Sequence, residues 1–256
     1  MATSMWAKAF KTVSEHVVLI ETPSARGTGF VIPPPPGSEG QSCIITAWHV
    51  VGHADEWHEP VKLMHFPSGK QAFLTMEVRA INAAPGRDQA IIIFAKDTLP
   101  LPIANLPLLQ IDTRYKEGVE IGWLGYPAVA PSSNLCFFCG HISTWIGNDE
   151  AYLVDGVAIN GVSGGPAFVQ DDKENVTVIG LVTEYRPNMA TGKALPGVSL
   201  VRSINPLLKH YTEIQKQLEA PKVQDIPQSE MQGALPTSLA TRDNMAPNKA
   251  TDGDEE

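Results

Sequence analysis

The sequence predicts an all-β protein, because short apolar segments typical of strands recur along most of its 256 residues. Glycine- and proline-rich turn signals separate these segments, and only the two ends of this region show helical spacing. A hydrophobic content of 43% with 18% charged residues is ordinary for a globular protein. Many short strands at regular spacing favour barrels or a sandwich, and the length suffices for one large β domain or two small ones.

The elements follow in order from the positions of the apolar residues. Trp6, Phe10 and Val13 fall at helical spacing and predict a short N-terminal helix within residues 1–16. The stretch Leu99–Pro107 is rich in proline and divides the predicted strands into two sets of six. Apolar residues on one side of segment 206–219 predict a C-terminal helix. The predicted strands are 17–22, 27–32, 43–47, 61–66, 72–81, 90–94, 119–124, 135–144, 152–157, 167–169, 176–182 and 198–201.

The chain is acidic, and its last part is more polar than the rest. The net charge is −9 with histidine neutral, and no Lys/Arg cluster is present, which argues against a nucleic-acid partner. Segment 220–256 contains several prolines, has no aromatic residue and ends in acidic residues, so it is predicted to be a disordered acidic tail. Neither a signal peptide nor a membrane-spanning run is recognisable, so we expect a soluble cytoplasmic protein without a membrane partner.

Three cysteines are too few, and odd in number, for a disulfide framework. Cys136 and Cys139, with His141 nearby, allow a zinc or redox interpretation, but no second ligand pair or βαβ context supports it. A second metal alternative would use His49, His53 and His58. No metal-binding motif supports that alternative either, so neither a metal nor a cofactor is predicted.

A glycine-rich loop around Ser163 is the strongest chemical signal. The serine lies in Gly-Val-Ser-Gly-Gly-Pro, residues 161–166, and an apolar segment follows. Glycine tolerates positive φ, so consecutive backbone N–H groups can converge on one point and stabilise an oxyanion. A phosphate-binding loop is excluded because no Gly-Lys-Ser/Thr follows. The alternative is a flexible glycine-rich loop without a chemical role.

A serine nucleophile needs a base and a carboxylate that orients the base. His49 is the best candidate base, because it lies where an apolar strand ends and a loop begins. Asp88 is the best candidate acid, since it precedes the apolar strand Gln89–Phe94 and is placed to be partly buried. The alternatives are a structural histidine and an aspartate that only initiates the strand.

The residues resemble the chymotrypsin-type serine peptidase family in content and in order. The order His49, Asp88, Ser163 is that of the family's triad. Gly27–Phe30 is similar to a Gly-x-Gly-Phe segment of the bacterial and organellar high-temperature-requirement branch. The resemblance covers about residues 17–219, and its further segments are Ile45–His49, Gly161–Pro166, Ile179–Thr183 and Pro196–Ser199.

The resemblance implies two antiparallel six-stranded β-barrels, 17–107 with His49 and Asp88, and 108–203 with Ser163. Helix 204–219 would close them. It also implies an oxyanion hole formed by the N–H groups of Gly161 and Ser163. The substrate pocket would have Val157 at its base, with Thr183, Tyr185 and Gly197 as walls. An alignment shift of two residues would instead place Asp155 at the base, and Glu184 is a second nearby acid that we expect to face solvent.

Three departures from the family limit what the resemblance implies. Val162 stands where secreted digestive members carry an aspartate that pairs with a new N-terminus, so activation by that ion pair is not expected. The family disulfides and an appended ligand-binding domain are missing.

The function predicted from the resemblance is serine endopeptidase activity on proteins or peptides, with small or medium apolar residues before the scissile bond. The alternatives are a weak or inactive binding module on the same fold, and an adaptor that acts through its acidic tail. The oligomeric state is not predicted.

Overall fold

The computed structural model describes residues 5–35, 37–102, 106–131, 134–187 and 194–210. The helices are α1 (Met5–Ser14) and α2 (Trp48–Glu56), and residues 205–210 begin a third helix. The strands are β1 (Val17–Glu21), β2 (Arg26–Ile32), β3 (Gln41–Thr46), β4 (Val61–His65), β5 (Lys70–Leu74), β6 (Arg79–Ala84), β7 (Gln89–Ala95), β8 (Glu120–Gly125), β9 (Cys136–Ile146), β10 (Ala151–Val154), β11 (Pro166–Gln170), β12 (Val176–Pro187) and β13 (Ala194–Ser203). The remainder of the predicted C-terminal helix and the predicted tail, 211–256, lie outside the described residues.

The second set of strands forms the closed six-stranded barrel that the resemblance predicts. Its strand order is β10-β13-β12-β11-β8-β9, and every paired neighbour is antiparallel. Trp123, Tyr152 and Phe168 are fully buried inside it. Large aromatic side chains fill the interior of a barrel of this size, which explains why these strands carry them.

The first set of strands forms an open half-barrel and differs in one strand from the prediction. Seven strands follow the order β5-β4-β1-β2-β3-β7-β6, so β5 and β6 are the edges of the sheet. The segment predicted as one strand, 72–81, is interrupted by a 3₁₀ turn at Met76–Val78. This turn separates β5 from β6 and adds the seventh strand. The all-β, two-barrel fold class is otherwise confirmed.

Strand β1 is apolar at successive positions because both of its faces are buried. Val18 and Ile20 belong to a core that includes Val50 of α2, inside the half-barrel. Val17 and Leu19 belong to a second core that continues into the closed barrel. Successive side chains of a strand point to opposite faces, so a strand buried on both faces needs apolar residues at every position. One face of the half-barrel therefore shares a core with the closed barrel, and the other face has a core of its own.

Helix α1 precedes the half-barrel in the chain but packs on the closed barrel. The Trp6 ring lies 5.4 Å from the Phe137 ring and 5.8 Å from the Phe168 ring, measured between centroids. Its indole N–H donates to a carboxylate oxygen of Glu120 at 3.0 Å. Lys8 adds an exposed ion pair with Glu174 at 2.9 Å. The N-terminal helix thus joins the two halves of the molecule.

Two further features of the structure concern its cysteines and its helices. Cys43, Cys136 and Cys139 are not joined in disulfides. Among the helices within the described ranges, none combines the length and apolar character that a membrane crossing needs.

Candidate active site

The loop that carries Ser163 lies between β10 and β11, and its glycines are required by its conformation. Gly161 and Gly164 have φ of +94° and +86°, values that side-chain-bearing residues rarely adopt. A Cβ on Gly161 would lie 2.3 Å from the carbonyl oxygen of Tyr126, and one on Gly164 would lie 2.1 Å from that of Thr28. Because the loop packs this closely on two strands, its backbone is fixed in position.

Hydrogen bonds to two carbonyl groups fix the orientation of the backbone around Ser163. The Asn160 carbonyl accepts a hydrogen bond from the Ala128 N–H at 2.7 Å, so the N–H of Gly161, across the same trans peptide, points the opposite way. The Ser163 carbonyl accepts from the Thr28 N–H at 2.8 Å. Within the described chain, the N–H groups of Gly161 and Ser163 donate to no protein acceptor. Each of the two N–H groups can therefore donate a hydrogen bond to a ligand.

His49 and Asp88 meet at the other side of the site. His49 lies in the first turn of α2, and Asp88 follows the 3₁₀ turn Pro85–Arg87 with φ of 51°. The Asp88 carboxylate accepts from the His49 backbone N–H at 2.9 Å and from ring Nδ1 at 2.8 Å. Arg87 forms an ion pair with Glu150, which lies directly before β10, so the turn that carries Asp88 is tied to the closed barrel.

The hydrogen bond at Nδ1 leaves Nε2 of His49 as the nitrogen that can accept a proton. His49 and Ser163 line one cleft of about 320 Å³. The hydroxyl of Ser163 donates to the Thr183 carbonyl at 3.2 Å, and no hydrogen bond between described residues joins it to His49. The structure therefore brings the three predicted residues to one site, with the serine hydroxyl turned toward the neighbouring strand.

The predicted pocket residues fall in different places. Thr183 lines the cleft, whereas Val157 and Gly197 are not part of its lining, and the Val157 side chain is 46% exposed. The backbone of Tyr185 lies in β12, paired with Ser199, but its side chain lies outside the described residues. Among the described residues, the cleft is lined by His49, Ala158, Ile159, Asn160, Ser163, Thr183 and Glu184.

Asp155 and Glu184, the two acids considered for the pocket, lie in different places. Asp155 accepts a hydrogen bond from the His141 N–H, lies 3.5 Å from ring Nδ1 of His141 and is absent from the cleft lining. Glu184 was expected to face solvent, and its side chain is 45% exposed while it also lines the cleft. A β-bulge explains this position: Val182 pairs with Val201 and Glu184 pairs with Leu200, so Thr183 is an extra residue in β12. Bulges redirect side chains and are frequent beside active sites.

The metal alternatives find no geometric support in the described part of the chain, where no three His, Cys, Asp or Glu side chains are placed to hold an ion. Nδ1 of His53 instead donates a hydrogen bond to the Glu59 carboxylate at 3.1 Å, and the His53 ring stacks on Trp57. Burial raises the pKa of Tyr126 to about 12, so the residue beneath Gly161 stays neutral.

Comparisons with known proteins find similarity in three-dimensional structure. No family model matches the chain, and no curated protein sequence is significantly similar to it. A structure of Rv3671c from M. tuberculosis, a serine-to-alanine mutant in an inactive form, is 20% identical with a TM-score of 0.56, covering 83% of this chain and 92% of that chain. A second structure, of the Rv3671c protease in an inactive form, is 21% identical with a TM-score of 0.55, covering 80% and 91%. At this identity the likeness establishes the fold alone.

Proposed function

We propose that the chain is a serine endopeptidase that hydrolyses peptide bonds through an acyl-enzyme intermediate. The observation that carries this proposal is the meeting of the Asp88–His49 pair with Ser163 in one cleft. The similarity of fold to a protease supports the same reaction class. Ser163 is the nucleophile, His49 the general base and Asp88 the residue that orients His49.

The reaction begins when the Ser163 hydroxyl turns from the Thr183 carbonyl toward Nε2 of His49. His49 accepts the hydroxyl proton while the serine oxygen attacks the substrate carbonyl carbon, and the N–H groups of Gly161 and Ser163 bind the resulting oxyanion. His49 then donates the proton to the leaving amine as the peptide C–N bond breaks. A water molecule, deprotonated by His49, hydrolyses the acyl-enzyme and restores the serine hydroxyl.

The substrate is a protein or peptide, and a small or medium apolar side chain enters the cleft. Ala158 and Ile159 in the lining support this preference. Apart from water, the reaction uses the side chains of Ser163, His49 and Asp88 and the backbone N–H groups of the serine loop. Cysteines that are not joined in disulfides support a reducing compartment such as the cytoplasm.

A fluorophosphonate probe, which reacts covalently with activated serines, tests this function. We expect the wild type to be labelled and the variants Ser163→Ala and His49→Ala to remain unlabelled. Ser38→Ala, in the loop after β2, is the control and should label as the wild type does. Labelling that persists in Ser163→Ala, or a folded wild type that is never labelled, would overturn the proposal.

A second candidate, a catalytically weak or inactive binding module, is favoured by the hydrogen bond from Ser163 to Thr183. In that function the serine hydroxyl keeps this partner and does not turn toward His49. The labelling rate separates the two candidates. A peptidase should react with the probe at least about 10²-fold faster than its His49→Ala variant, since a general base contributes on that order, whereas a binding module should show no difference.

A further inference from the structure

Glu184 places a negative charge inside the cleft, beside the nucleophile. The bulge at Thr183 separates the environments of the two neighbouring side chains: Thr183 is 2% exposed, whereas the Glu184 side chain is 45% exposed. The Thr183 carbonyl contacts the Ser163 hydroxyl, so the glutamate is only one residue along β12 from a direct contact with the nucleophile. A ligand that fills the cleft beside Ser163 therefore also lies beside Glu184.

The Glu184 carboxylate has one ion-pair partner within the described chain, and that pair is long. Its charged neighbour is Arg202, whose Nη2 lies 3.9 Å from Oε1, beyond hydrogen-bonding distance. Arg202 is held elsewhere, because its Nη1 donates to the Asp149 carbonyl at 2.9 Å and its side chain is only 13% exposed. The carboxylate is therefore open to a second cation from the solvent side.

The cleft lining combines two kinds of chemistry. Ala158 and Ile159 are apolar, and among the described lining residues Glu184 is the titratable side chain besides His49. An apolar group cannot satisfy the carboxylate, and a negative group placed beside it would be repelled. A matching ligand therefore carries an apolar side chain next to a positive one.

We propose that Glu184 makes the cleft selective for peptides in which a lysine or arginine is adjacent to the apolar residue that enters it. This substrate class rests on the proposed peptidase function. Since the carboxylate is about half exposed, the ion pair is weak, and we expect a preference of about 2- to 5-fold over a neutral residue. The preference should weaken as salt rises, because exposed charges are screened.

The test separates binding from chemistry by using the full-length Ser163→Ala protein. Three fluorescent peptides carry lysine, glutamine or glutamate next to the same apolar residue and are otherwise identical. Their binding is measured by fluorescence anisotropy, once with the variable residue before the apolar residue and once with it after. Glu184→Gln should abolish the preference for lysine, and Glu184→Lys should reverse it toward glutamate by about 5-fold. Glu117→Gln removes the same charge from an exposed position outside the cleft and serves as the matched control, so it should retain the preference.

Hydrolysis of the same peptides by the Ser163 protein forms the second arm. Lysine preference in both arms, lost in Glu184→Gln and kept in Glu117→Gln, supports the inference. Equal binding of the three peptides, or an identical preference in Glu184→Gln, overturns it even when the probe labels Ser163. Selective binding without labelling of the wild type would instead overturn the peptidase function and leave the role of Glu184 supported.

Discussion

Asp88 holds both the main chain and the ring of His49 with one carboxylate. One oxygen accepts a hydrogen bond from the backbone N–H at 2.9 Å, and the other accepts one from ring Nδ1 at 2.8 Å. Two contacts from a planar group fix the rotation of the imidazole as well as its distance. The aspartate thereby sets the direction in which Nε2 faces, although it is remote from any substrate.

We predict that Asp88→Asn lowers the turnover number by about 10⁴, as the equivalent change does in a protease with this triad. The amide can still accept one of the two hydrogen bonds, but its NH₂ group placed at Nδ1 favours the wrong tautomer of His49. The melting temperature should change little. Peptide hydrolysis by Asp88→Asn is compared with that by Asp97→Asn, an exposed acid of the same half-barrel. Full activity in Asp88→Asn would exclude its assigned role.

We predict that Gly161→Ala lowers turnover by about 10²–10³, the usual effect of losing one oxyanion donor. The added Cβ would meet the Tyr126 carbonyl at 2.3 Å, so the peptide that offers its N–H to the substrate must move. Gly118→Ala is the matched control, because Gly118 has φ of +84° and open space around a Cβ. Both variants carry the same backbone strain. Equal kcat values for the two would show that displacement of the loop is harmless.

We predict that Val157→Asp leaves the cleavage preference within about 2-fold of the wild type, since an exposed substitution remote from the ligand changes binding little. The side chain is 46% exposed and is not part of the cleft lining. A positional-scanning peptide library read with both proteins checks this expectation. New cleavage after arginine or lysine in the variant would return Val157 to the base of the pocket, as the resemblance implied.

We predict that stability falls as the pH drops below 6.5 because of His65. Burial lowers its pKa from the ordinary value of 6.5, and its Nε2 contacts the Glu15 carbonyl at 2.8 Å. Between pH 6.5 and the lowered pKa of the folded state, His65 binds more protons in the unfolded chain than in the folded one. Its contribution to stability is therefore fully present above pH 6.5 and is lost as the pH falls through this window.

Urea denaturation from pH 7.5 downward measures this effect. The quantity measured is the slope of the free energy of unfolding against pH. His65 should contribute at most about 1.4 kcal/mol per pH unit to this slope, and the contribution should disappear in His65→Gln. His53→Gln changes an exposed histidine and should keep the wild-type slope. An unchanged slope in His65→Gln would exclude His65 as the cause.

The sequence predicts the second barrel better than the first, and the reason is local. Strands β8 to β13 were each recognisable from an apolar segment between turn signals. In the half-barrel, the 3₁₀ turn at Met76–Val78 lies inside a continuous β-like pattern and carries neither glycine nor proline. Such a turn is set by the tertiary position of the two edge strands, which a local pattern does not encode.

The residues of the candidate site also differ in how well the sequence predicts their positions. Ser163, His49 and Asp88 could be chosen because turn residues and strand ends mark them in the sequence. Glu184 could not, since its direction depends on the bulge at Thr183, and a bulge is a property of the pairing between β12 and β13. Alternation along a regular strand predicts which face a residue occupies only while the register is continuous.

The packing of α1 has a consequence for how the protein is made. Translation releases Trp6 early, but the Phe168 ring that covers it is added more than a hundred residues later. At about 5–20 residues per second, the helix waits roughly 10–30 s on the ribosome before its binding surface exists. During that interval the apolar face of α1 is open to chaperones. A nascent chain arrested before β11 should therefore expose Trp6 to solvent quenchers, and one extended past β12 should protect it.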